Sequence, residues 1–261
     1  MNFFKISLFF TALVSTAATA QVLPDNPANP FDYIGAKHNE TLDFIIENKD
    51  ELGEFGPAWN LQGTRLAVKY ICADPSVGGG IDAGCGTCLP MDALTLVGRT
   101  QCLADLTRAE FLETIDLSFE QSQALSAVYS AIDKMGDLPP DSERNADELR
   151  ARAQSVINSI KSVEAATLRT LRRDEAQVVL IAASIARHST AYWTEASLDS
   201  ASLWANPPGG GPGSMGPLSL LDVIEADARG GSVPADPIIM LGGAAVGSFY
   251  NILGQIWNWL F

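Results

Sequence analysis

The stretch "AQVVLIAASIARHSTAYW", residues 176–193, decides the fold. Its first half is apolar on nearly every side, and a helix of that kind belongs at the centre of a bundle. Val178, Ile181, Ile185, His188 and Tyr192 recur at spacings of three and four, which places them on one helical face. A histidine on such a stripe reads as a hydrogen-bonded core residue. The Tyr192 hydroxyl, one turn away, is its expected partner.

Segments on either side supply the helices that would surround it. Leu149, Ala153, Val156, Ile160, Val163 and Thr167 share a face in the segment before, with Asp141 or Ser142 as its expected cap. "RRDE" (172–175) is a charged junction or an exposed turn of helix. Further back, Thr107 and Glu110 form a capping box. Phe111, Ile115, Phe119, Ser122, Leu125, Tyr129 and Ile132 then make a nearly continuous stripe. From Ile34 to Leu52 the pattern is again helical. Ile34, His38, Leu42, Ile45 and Lys49 fall on one face, and Glu40, Asp43, Glu47 and Asp50 on another. "RLAVKYICA" (65–73) fits a helix end or a short strand. "QVLPDNPANPF" (21–31) reads as an extended leader.

The chain closes with "PIIMLGGAAVGSFYNILGQIWNWLF" (237–261), which carries no charge. The 24 residues 238–261 suffice to cross a bilayer as a helix. Ser248, Asn251, Gln255 and Asn258 fall on one edge, opposite Phe249, Ile252, Leu253, Ile256 and Leu260. That polar edge is expected to face water, with the apolar remainder packed on the rest of the protein. The small residues Gly242 to Gly247 suit the close approach of another helix. Membrane contact through 238–261 is the less favoured reading, and self-association is a third.

The first twenty residues read as a signal peptide. Lys5 precedes an apolar run from Ile6 to Val14, and Ala18-Thr19-Ala20 matches a small-x-small cleavage site. The expected location is therefore secreted or periplasmic after cleavage near Ala20. Export turns the four cysteines, Cys72, Cys85, Cys88 and Cys102, into a candidate pair of disulfides in the loop region 72–102, with the pairing open. Cys85-Gly86-Thr87-Cys88 also has the form of a thiol-exchange motif, the second alternative for function.

The expected fold is an all-α helical bundle with a disulfide-stapled loop and a C-terminal helical hairpin. Its expected parts are a signal peptide (1–20), a helical domain (21–205), a Pro/Gly linker (206–217) and the hairpin (218–261), packed on the main domain. A net charge of −14, from 17 basic and 31 acidic residues, argues against nucleic acid as a partner. No serine-nucleophile elbow, phosphate loop, dinucleotide fingerprint or zinc-binding histidine pair is present. No catalytic residue, metal or cofactor is expected. Candidate binding residues are His38, Glu40, Asp43, His188 and Tyr192. The expected role is binding or structure without catalysis, in an exported protein.

Three pieces together carry a resemblance. They are His38, Asn39, Leu42 and Asp43 in "HNETLDFI", then Ser189, Tyr192 and Trp193 in "IARHSTAYW", then Ala226, Asp227 and Gly230 in "DVIEADARGG". The set resembles a loose group of exported bacterial proteins of no assigned activity. The resemblance implies a helical secreted fold and transfers no chemistry.

Overall fold

Eight α-helices, and no strand, run through the residues that the computed structural model describes: 21–53, 58–73, 106–136, 145–199, 219–233 and 237–260. They are α1 (Asp32–Glu47), α2 (Ala58–Ala73), α3 (Arg108–Thr114), α4 (Phe119–Ile132), α5 (Ala146–Thr170), α6 (Arg173–Leu198), α7 (Leu220–Gly230) and α8 (Pro237–Leu260). The arrangement fits a helical bundle. Helix α6 lies at its centre and packs against α1, α4, α5 and α7, while α8 lies against α7, α2 and α1. Every residue of α6 from Val178 to Ala191 is buried. A helix enclosed on all sides needs an apolar surface all round, as the 176–193 stretch supplies.

Local chemistry sets the helix ends. Thr107 and Glu110 form the expected capping box on α3, and Ser118 with Gln121 forms another on α4. That second cap breaks the nearly continuous stripe expected from Phe111. Phe111, Leu125, Tyr129 and Ile132 reach the core, whereas Phe119, in the first turn of α4, is 77% exposed. Helix α5 is capped by Asn145, whose side chain accepts from the Asp147 and Glu148 amides. Asp141 and Ser142 lie outside the described residues. On α1 the expected face is buried at Ile34, His38, Leu42 and Ile45, and Glu40, Asp43 and Glu47 are exposed; the helix ends at Glu47, short of Leu52, and Lys49 and Asp50, in the 3-10 turn that follows, are both exposed, so Lys49 does not join the buried face. The "RLAVKYICA" segment is the end of α2.

Helices α7 and α8 touch backbone to backbone. A Cβ added at Gly243 would meet the Gly230 carbonyl oxygen at 2.8 Å, and one at Gly247 would meet that of Ala226 at the same distance. Only residues without a side chain permit this approach. Met240, Leu241, Ala244, Ala245 and Val246 are buried there against the protein's own helices.

One expectation for α8 is corrected. Ser248, the first residue of the polar edge, is completely buried and does not face water. It has an acid and a histidine to bond, described below. Asn251 is half-buried, and the side chains of Gln255 and Asn258 lie outside the described residues. So do residues 1–20, the 206–217 segment, and Cys85, Cys88 and Cys102. Cys72, in the last turn of α2, is disulfide-bonded. No disulfide has both ends within the described residues.

Candidate functional site

Two buried polar junctions hold the helices together. The first centres on Asp227. Its neighbours on the same face of α7 are Leu220, Val223, Ile224 and Ala228, all buried, so the turn of the helix carries the carboxylate inward. Asp227 Oδ2 accepts from Ser189 Oγ at 2.5 Å and from Trp193 Nε1 at 2.9 Å, both on α6. Oδ1 accepts from Ser248 Oγ on α8. From α1, His38 Nε2 lies 3.6 Å from Oδ2 and 3.0 Å from Ser248 Oγ. On the other side of the ring, His38 Nδ1 is 3.0 Å from Asn39 Oδ1. Asn39 Nδ2 donates to the His188 carbonyl at 3.0 Å, which turns the amide oxygen toward the ring. One carboxylate thus joins α1, α6, α7 and α8. Burial pushes the Asp227 carboxyl up from its ordinary value; His38 and the hydrogen bonds from Ser189, Ser248 and Trp193 pull the other way.

The second junction centres on Arg187, also on α6 and completely buried. Its guanidinium donates to Asp32 Oδ1 at 2.6 Å, to Glu164 Oε1 at 3.0 Å and to the Pro24 carbonyl. Glu164, buried on α5, also accepts from Asn26 and Asn29, each at 2.6 Å. The 21–31 leader is therefore a strap tied to α5 and α6. Leu23 extends the tie through Gln154 and Lys161. His188 Nε2 lies 3.3 Å from Asp32 Oδ1. Burial works against the Asp32 charge, but hydrogen bonds from His188, Arg187 and the Asn26 amide outweigh it and hold its carboxyl well below the usual carboxylate range.

Asp25, Asp32 and His188 bring potential ligand atoms within 4.8 Å of one another. Both oxygens of Asp32 are already engaged, Oδ1 by Arg187 and Oδ2 by the Asn26 amide at 3.0 Å. The set is best described as an ion-pair junction.

The five candidate binding residues do not converge. His38 belongs to the first junction and His188 to the second. Tyr192 does not pair with His188: its hydroxyl donates to Asp43 at 3.0 Å, because the His188 ring turns toward Asp32. Glu40 accepts from Lys37 and Tyr70 at the surface. The spacing pattern alone passed over Asp32, Glu164 and Arg187, and it placed Ser248 on a water-facing edge. The available signal was a lone charge on an apolar face: Glu164 continues the buried Ala153, Ile157 and Ile160 row, and Arg187 interrupts an apolar run.

A surface groove of about 590 Å³ runs along α5, lined by Gln21, Asp147, Arg150, Gln154, Asn158 and Ser162 among others. It shares no residue with Asp227 or Arg187 and their charged partners. No family model, curated protein or solved structure matches the chain.

Proposed function

We propose that this is an exported helical protein that acts by binding or as a structural component, without catalysis. One observation carries the reading. Ser189, Ser248, His38 and Asp227 are the residue types of a serine hydrolase, yet all four are completely buried. A nucleophile needs a reacting atom beside it and a path for substrate. These side chains instead use their hydrogen bonds on one another, across four helices. The groove along α5, lined mostly by polar residue types, is an accessible surface on which a ligand would rest.

In the same reading, α7 and α8 form a C-terminal hairpin packed on the main domain, supported by the buried row from Met240 to Ser248. That row weighs against lipid as its surroundings. Among the described residues no helix is long and apolar enough to cross a membrane. Disulfides closing the 72–102 segment fit the same exported setting. A serine-directed fluorophosphonate probe tests the central point. The native protein is expected to give no adduct, and labelling of Ser189 or Ser248 would overturn the reading.

A further inference from the structure

The hydrogen bonds around His38 can be counted, and the count leaves a proton over. Asn39 presents its oxygen to His38 Nδ1, so Nδ1 carries a hydrogen. Nε2 and Asp227 Oδ1 both face the Ser248 hydroxyl, which has one hydrogen to give. With a neutral histidine and an ionised aspartate, Ser248 can satisfy only one of those two neighbours. The other contact would set lone pair against lone pair. Nε2 and Asp227 Oδ2, 3.6 Å apart, would repel in the same way.

One added proton removes the conflict. Placed on Nε2, it lets the imidazolium donate to Ser248 while Ser248 donates to Asp227. Placed on Asp227, it lets the acid donate to Ser248 while Ser248 donates to Nε2. The two forms differ only by a relay of two hydrogens through the serine hydroxyl, one along each of its hydrogen bonds, and the group is electrically neutral in both. Neutrality also suits a site with no solvent exposure, where an unpaired charge is costly.

We propose that the folded protein holds one proton within the His38–Ser248–Asp227 group at neutral and mildly alkaline pH, where the unfolded chain has released it. The core then acts as a proton-binding site, and the fold weakens as the surroundings turn alkaline. Among the described residues, the elements around the group bring no rival proton donor. Helix α6 contributes Ser189 and Trp193, which already donate to Asp227 Oδ2, and α8 contributes Ser248. On α1, Glu40 and Asp43 are exposed, and α2 meets Glu40 through Tyr70 at the surface. The His188 ring faces Asp32 in the other junction.

The direction of the effect follows from proton linkage. An unfolded histidine loses its proton around pH 6.5 and an unfolded aspartate around pH 3.9. Between those values both states hold one proton in this group, and its contribution is flat. Above about pH 6.5 the folded state holds one more than the unfolded state, so the folding constant falls by up to about tenfold per pH unit.

The test is refolding of the mature protein at pH 8 in weak buffer with an indicator dye. About one proton taken up per chain is expected. The His188→Gln variant should take up the same amount, and the His38→Gln variant should lose the uptake. No uptake by the wild-type protein would overturn the proposal. Uptake that disappears in His188→Gln would also overturn it, by assigning the proton to the other histidine. If His38→Gln fails to fold, urea unfolding of the wild type and His188→Gln from pH 6 to 9 decides. A folding constant independent of pH in both proteins would refute the proton-binding core.

Discussion

Asp227 is a charge on an apolar helix face, and its surroundings explain why the fold tolerates it. Three donors and His38 meet the carboxylate, so burial leaves it neither unpaired nor unbonded. Removing it should cost far more than any one of those bonds, because His38, Ser189, Ser248 and Trp193 would lose their common partner in a dry site. Asp227→Ala is expected to destabilise the protein by about 3–5 kcal/mol in urea unfolding. A cost below about 1 kcal/mol would mean that the junction holds nothing together. Ser248 teaches the complementary lesson. Small polar residues at helical spacing look alike in sequence whether they meet water or a buried acid. The partner that decides between them, Asp227, lies 21 positions away.

At the scale of elements, the strap shows how a segment without regular structure becomes part of the core. Residues 21–31 have few apolar side chains to bury, and Val22 is the one fully drawn in. What holds the strap is Arg187 and Glu164, which meet its carbonyl and amide groups. Arg187→Ala leaves Glu164 buried without its cation, so a loss of about 3–5 kcal/mol is expected. Limited proteolysis should then cut within 21–31 well before the helices, whereas an uncut strap would contradict its dependence on Arg187. The helices were largely legible beforehand. The buried face of α1, the enclosure of α6 and the Thr107 cap follow from spacing and residue type alone. The break before Phe119 was hidden because the apolar residues on its two sides happen to stay in helical phase. The Ser118 and Gln121 box was the competing signal that prevailed. The two polar junctions were not legible as units. Their members come from three or four helices, and no local pattern registers which charge will face which.

For the whole molecule, several carboxylates sit beside arginines and tie distant segments. Arg108 joins Asp133 to Glu225, and Arg229 supports Glu225. Hydrogen bonding to Arg108 holds Asp133 below its ordinary value, and Arg108 and Arg229 hold Glu225 low despite its burial. Asp32 is lowered as well. A carboxylate depressed in the folded state contributes stability that is present above the unfolded value and lost as the pH falls through the folded one. Asp227, shifted upward, has the opposite sign: stability tied to it is kept as the pH falls and is lost as the pH rises. Through the three lowered groups, stability should fall as the pH drops below about 4, and thermal unfolding midpoints at pH 3 and pH 6 check this. The proposed role rests on the same wholeness: the reactive-looking residues are enclosed by the assembled bundle and serve to close it. The most direct measurement is acylation of His38 by diethyl pyrocarbonate, followed by peptide mass analysis over a range of urea concentrations. The account predicts that His38 reacts only as fast as the whole protein unfolds, with a urea dependence matching global unfolding. Rapid acylation of His38 in the native protein, independent of urea, would contradict it.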